Sequence, residues 1–183
     1  MAEHARRRWT IEEFLAWDDG TDTRYELVGG EIVAMAPPSL EHSTIVMNLG
    51  IAVGNRLKPP CRVLGEVGVV LPDRDDAHYR ADLAVTCAPP QRGLHHAPEP
   101  VLIVEVLSPS IALRDRGLKL DDYCRLPSVR EVLLVSSQER RVQHWRRDGE
   151  RWLVENLIGE AELRLEAATD PVPLSALYGG SGV

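Results

Sequence analysis

The chain is poor in several features that would fix its class at once. Only three cysteines occur, Cys61, Cys87 and Cys124, far apart and odd in number. No CxxC pair and no Cys/His spacing is present, so neither a disulfide framework nor a zinc finger is expected, and each cysteine reads as a small core hydrophobe. Lysine is scarcer still, with Lys58 and Lys119 set against 19 arginines. The longest apolar runs stop after five or six residues, whereas a membrane-spanning helix needs about 20. Arg6, Arg7 and Arg8 near the start are not followed by the apolar stretch of a secretory signal. A cytoplasmic protein with no membrane partner is the expectation. Basic charge is not in excess either. A net charge of −7 argues against a protein that coats nucleic acid through Lys and Arg, though not against an enzyme that meets DNA at one local surface.

What is present suits a globular chain: 44% of residues are hydrophobic and 27% charged, near the average for folded domains. At roughly 150 residues per domain, a chain of 183 residues without repeats or a low-complexity linker reads as a single domain, residues 1–183. Thr10-Ile11-Glu12-Glu13 is a capping box and opens a short helix to about Trp17. Arg24–Val28 and Glu31–Met35 are β-type runs joined by Gly29-Gly30, the signature of a hairpin. After Pro37-Pro38, Ser39 caps a helix on which Ile45, Leu49, Val53 and Leu57 share one face. Short strands are expected at 62–64, 66–71, 80–86 and 101–107, then a helix at about 112–125. Strands at 131–136, 141–146 and 152–157 follow, with a weak strand near 162–165 and a terminal turn at 174–178. The order is neither strict βαβ alternation nor all-β. A mixed α/β sheet with flanking helices is the fold class it predicts.

Chemistry concentrates in two strands and the helix after them. Val101-Leu102-Ile103-Val104-Glu105-Val106-Leu107 is a near-continuous apolar run, the pattern of a strand buried on both faces. An ionised Glu105 inside it demands a cation or a proton. Asp82 likewise interrupts Arg80-Ala81-Asp82-Leu83-Ala84-Val85, although aspartate is a poor strand former. Two carboxylates on neighbouring strands suit Mg²⁺, which takes one or two and keeps its remaining positions for water or phosphate. Lys119 and Tyr123 are i,i+4 neighbours on the following helix. Alone, Lys119 would read as a solvated cation, and His42, in the first turn of its helix, as a surface or packing residue.

These segments together resemble a known family. Arg24-Tyr25-Glu26-Leu27-Val28-Gly29-Gly30-Glu31, Pro37-Pro38-Ser39 with Glu41-His42, and Asp82-Leu83 are similar to the Uma-two family, described as restriction endonucleases. So are Val104-Glu105-Val106-Leu107-Ser108-Pro109-Ser110 and Arg114-Asp115-Arg116-Gly117 with Lys119 and Tyr123. The resemblance runs from about Thr10 to Tyr178, and the family is similar in turn to the PD-(D/E)XK nucleases. It implies a restriction-endonuclease-like fold, with Asp82 as the motif aspartate and Glu105 as the motif (D/E). The usual lysine position two residues after the glutamate is Leu107, so the resemblance implies a lysine moved onto the next helix, Lys119. Ala81 stands where the motif name has proline. Glu31 and His42 match positions near the family's cleft. The implied function is hydrolysis of DNA phosphodiester bonds with Mg²⁺ or Mn²⁺ held by Asp82 and Glu105, in a homodimer. A nuclease fold that only binds, and a hydrolase of small phosphate esters, are the competing classes.

Overall fold

The structure, a computed structural model, describes residues 7–108 and 113–183, with only the backbone for 113–116. The capping box forms as expected: Glu13 N–H donates to Thr10 Oγ1, and Thr10 N–H to the Glu13 carboxylate. It starts α1 (Ile11–Ala16). The hairpin follows as β1 (Tyr25–Val28) and β2 (Glu31–Ala34). Gly29 and Gly30 both sit at positive φ, 58° and 81°, which a two-residue primed turn requires. Ser39 caps α2 (Leu40–Gly54) by accepting from His42 N–H.

Where two strands were expected at 62–71 there is one, β3 (Arg62–Val70), antiparallel to β4 (His78–Thr86). β5 (Pro100–Leu107) leads to α3 (Leu113–Arg125), which crosses over to β6 (Glu131–Ser136), parallel to β5. β7 (Arg141–Asp148) and β8 (Arg151–Ile158) form an antiparallel meander beyond it. β9 (Glu162–Leu163) pairs with β10 (Val172–Pro173), a strand the sequence did not reveal, and α4 (Leu174–Tyr178) follows. The main sheet has eight strands in the order β2-β1-β4-β5-β6-β7-β8, with β3 also on β4.

Alternation along β5 and β6 sorts the core into two layers. Leu102, Val104, Val106, Leu133 and Val135 face Ile45, Leu49 and Val53 of α2 and Leu174 and Leu177 of α4. Ile103, Val132 and Leu134 face Tyr123 and Leu126 of α3. A sheet covered on both faces is what the apolar run around Glu105 predicts. No helix among the described residues is long and apolar enough to cross a membrane.

Two of the three cysteines are not the separate core hydrophobes that their spacing suggests. Cys61 and Cys87 form a disulfide, and only Cys124 is free. Arg62 pairs with Thr86, so Cys61 and Cys87 occupy the next position outward on β3 and β4. Neighbours across a ladder are brought together by register, and register leaves no trace in cysteine spacing.

Candidate active site

β4 has three neighbours on two edges. β3 takes one edge along its length, so β1 and β5 share the other, β1 at Leu27–His78 and β5 from Leu83 to Thr86. Between them a gap opens beside residues 79–82. Backbone N–H groups in such a gap lose their ladder partners and need others. Two carboxylates meet that need. Glu26 Oε1 accepts from Arg80 N–H at 2.7 Å, and Asp82 Oδ2 accepts from Val106 N–H at 2.7 Å. Leu83 pairs with Val104, so the same register continued one step would set Asp82 opposite Glu105. The ladder stops there, and a side-chain bond from Asp82 takes over.

The strands also change face at this point. Val63, Leu83 and Val85 pack on the α2 side, while Val69, Tyr79 and Ala81 pack on the α3 side. The exchange falls at Glu66 and Asp82, yet the register is the same before and after, Gly65 with Leu83 and Val67 with Ala81. Glu66 carries the distortion in its backbone, with φ at 46°.

Four of the five sequence-predicted residues meet at the gap. Glu105 is buried, 7% exposed. Its Oε1 accepts from the Tyr123 hydroxyl at 2.5 Å and lies 3.6 Å from Lys119 Nζ. His42, in the first turn of α2, places Nε2 3.3 Å from Asp82 Oδ2. Glu31 stands elsewhere. It is exposed at the start of β2, paired with Val28, with β1 between it and β4. Pro109 and Ser110 of the motif lie outside the described residues.

One residue was missed. Glu26, 7% exposed on β1, accepts from Lys119 Nζ at 2.7 Å through the same Oε1 that holds Arg80 N–H. The signal for it was present: an acid inside a short β-run, the feature that singled out Asp82.

The electrostatics follow from three buried or half-buried carboxylates around one ammonium. Burial pushes Glu105 up to about 7, against the pull of Lys119, with Asp82 and Glu26 adding to the rise. Burial pulls Lys119 down, but Glu105 and Glu26 outweigh it and leave it above the ordinary lysine value. It therefore stays an ammonium near neutral pH. The hydrogen bond to Asp82 raises His42 in spite of burial. Burial holds the Tyr123 hydroxyl far above its usual range, so it serves Glu105 as a donor only.

The donor set fits a hard divalent cation. Asp82 Oδ1 and Glu105 Oε2 have no protein partner among the described residues, and acids outnumber cations. No three His, Cys, Asp or Glu side chains among the described residues form a ready-made cage. Two open carboxylates still match the way Mg²⁺ binds, with water or phosphate filling its other positions.

Comparison with known proteins gives the family and the fold. Residues 11–173 match the Uma2 family, described as "Putative restriction endonuclease". The chain belongs to the Uma2 family. Two relatives come from Synechocystis sp., both named only as uncharacterized proteins. Slr1290 is 31% identical over 173 residues, covering 92% of this chain and 90% of the relative. Sll1609 is 27% identical over 165 residues, covering 82% and 88%. Among solved structures, a crystal structure titled as a "putative nuclease belonging to DUF820" from Anabaena variabilis superposes with a TM-score of 0.75 at 19% identity, covering 92% of this chain and 97% of that one. The mixed sheet with flanking helices is thus a fold shared with that solved structure, as the resemblance implied.

Proposed function

We propose that this Uma2 protein is an endonuclease that hydrolyses DNA phosphodiester bonds with Mg²⁺ or Mn²⁺ held by Asp82 and Glu105. The observation that carries the reading is the gap between β1 and β5, where two carboxylates with open oxygens face one half-buried ammonium. When bound, the ion supplies Lewis acidity toward phosphate and a lowered pKa for water. The chain's own residues do the rest. Lys119, kept charged by Glu26 and Glu105, stabilises negative charge developing on the phosphate or orients the attacking water. Glu26 fixes that ammonium in place. The Tyr123 hydroxyl holds Glu105 Oε1 and so directs Oε2 outward, and Val106 N–H and His42 do the same for Asp82. Glu31, one strand further out on β2, would join the metal shell only through water. The working unit in this reading is a homodimer.

The test is nicking of plasmid DNA with Mg²⁺ or Mn²⁺, run beside a small phosphodiester, for the parent and Lys119→Arg. The parent is expected to nick the plasmid only with metal. The guanidinium is planar and larger than an ammonium, so the variant should lose about 100-fold in single-turnover rate, the scale for one electrostatic stabiliser. Turnover of the small ester alone would select that class instead. Inactivity on both would select a binding module, and equal rates for parent and Lys119→Arg would make Lys119 a structural cation.

A further inference from the structure

The distortion opposite Asp82 has a second aspect. A non-glycine residue in the left-handed region costs on the order of 1 kcal/mol or more, and Glu66 adopts it within a strand, at φ 46°. Its carboxylate is held by two arginines. Arg24 Nη1 bonds Glu66 Oε2, and Arg80 Nη2 lies 3.7 Å from the same oxygen. All three side chains are between about one-third and one-half exposed or more, and ion pairs so exposed contribute about 0–1 kcal/mol. The cluster therefore does not offset the strain of the backbone that creates it. Strain of that kind persists mainly where a site uses the geometry.

The position of the cluster gives it a use. Arg80 is two residues from Asp82 on β4, and its backbone N–H is already fixed by Glu26 in the gap. Arg24 lies two residues before Glu26, at the entry to β1. One carboxylate serves two guanidinium forks of five donors each, and Arg80 Nε is buried with no partner among the described residues. The cluster thus carries surplus positive charge beside a gap in which Glu26, Asp82 and Glu105 outweigh Lys119.

We propose that Arg24 and Arg80 form a phosphate-binding subsite. They would grip a non-bridging oxygen of a backbone phosphate next to the one being cleaved, while Glu66 holds the two forks in position until it arrives. This rests on the nuclease reading above and deepens it: the acidic centre needs a basic contact beside it to draw a polyanion in.

The experiment measures binding of a fluorescent DNA duplex by anisotropy in Ca²⁺, across a salt series, for the parent, Arg24→Gln, Arg80→Gln and the double variant. Each phosphate contact contributes a slope of about 0.9 to the dependence of log K on log salt. Arg24 and Arg80 share one phosphate, so the double variant should flatten the slope by about that much and weaken binding about eightfold at 0.1 M salt; each single variant should lose part of both, about threefold in affinity. Calcium affinity by calorimetry should match the parent throughout. Arg24 lies outside the β3–β4 ladder, so Arg24→Gln decides the matter if Arg80→Gln folds poorly. Parent-like slope and affinity in the variants would overturn the subsite while leaving the nuclease reading standing. A parent that binds no DNA in Ca²⁺ would overturn both.

Discussion

A carboxylate in the middle of Val101–Leu107 is the residue on which the proposed chemistry turns. Its environment makes a test that needs no substrate. Burial lifts the Glu105 carboxyl from an ordinary value of 4.5 to about 7, so the folded protein keeps a proton that the unfolded chain gives up. A raised folded-state value contributes stability that is fully present below about pH 4.5 and lost as pH rises through 7. His42, also raised, loses its contribution in the same direction at the upper end. In metal-free protein the Glu105 share of that loss is on the order of 3 kcal/mol. Glu105→Gln should remove it, so parent and variant stabilities from urea melts in EDTA should diverge steadily between pH 4.5 and 7.5. Parallel curves would mean that Glu105 is not titrating in a buried site. Residue by residue, Glu105 and Asp82 were legible because each breaks a local pattern, whereas Lys119 was reached only through the family resemblance. Glu26 breaks one too, but its run of four β-residues is short, and the hairpin turn beside it explained the segment without it.

At the scale of elements, helices and strands were legible where a cap or a period marks them: the Thr10 box, the Gly29-Gly30 turn and the fourfold repeat along α2. The coordinated change of face at Glu66 and Asp82 was not. Gly65-Glu66 looks like a break between two strands, and only the partner strand shows that β3 runs through it with its register kept. The Cys61–Cys87 bond was hidden for a related reason, since it depends on which strand lies beside which. That bond joins residues 26 apart, and closing a loop of this length stabilises a fold by roughly 3 kcal/mol in the chain-entropy account. Reductant should lower the unfolding midpoint of the parent accordingly and leave the Cys61→Ala/Cys87→Ala variant unmoved. Equal response in the two proteins would contradict the pairing.

For the whole molecule, composition and element order were enough to predict a mixed sheet with helices on its faces. Strand order was beyond them, because pairing between distant segments is not written in local periodicity. One consequence of that order concerns assembly. β8 ends the sheet and leaves Leu153, Val154 and Ile158 exposed, whereas edge strands of a monomer are usually shielded by charge or bulges. Antiparallel pairing of two copies about Leu153 would set Arg151 opposite the partner's Glu155 on both sides of the axis. Sedimentation should show a dimer for the parent and a monomer for Leu153→Glu, which sets two like charges against each other at that axis. A monomeric parent, or a dimer that survives the substitution, would put the homodimer elsewhere or remove it.

One ion held between two strands is the centre of the proposed chemistry. Calorimetric titration of Mn²⁺ into the parent, Asp82→Ala and Glu105→Ala tests that claim most directly. The parent should bind one ion per chain, with protons released as Glu105 ionises near neutral pH, and each variant should lose that binding while its melting transition stays cooperative. Parent-like affinity in both variants would place the ion away from Asp82 and Glu105, and the proposed chemistry with it.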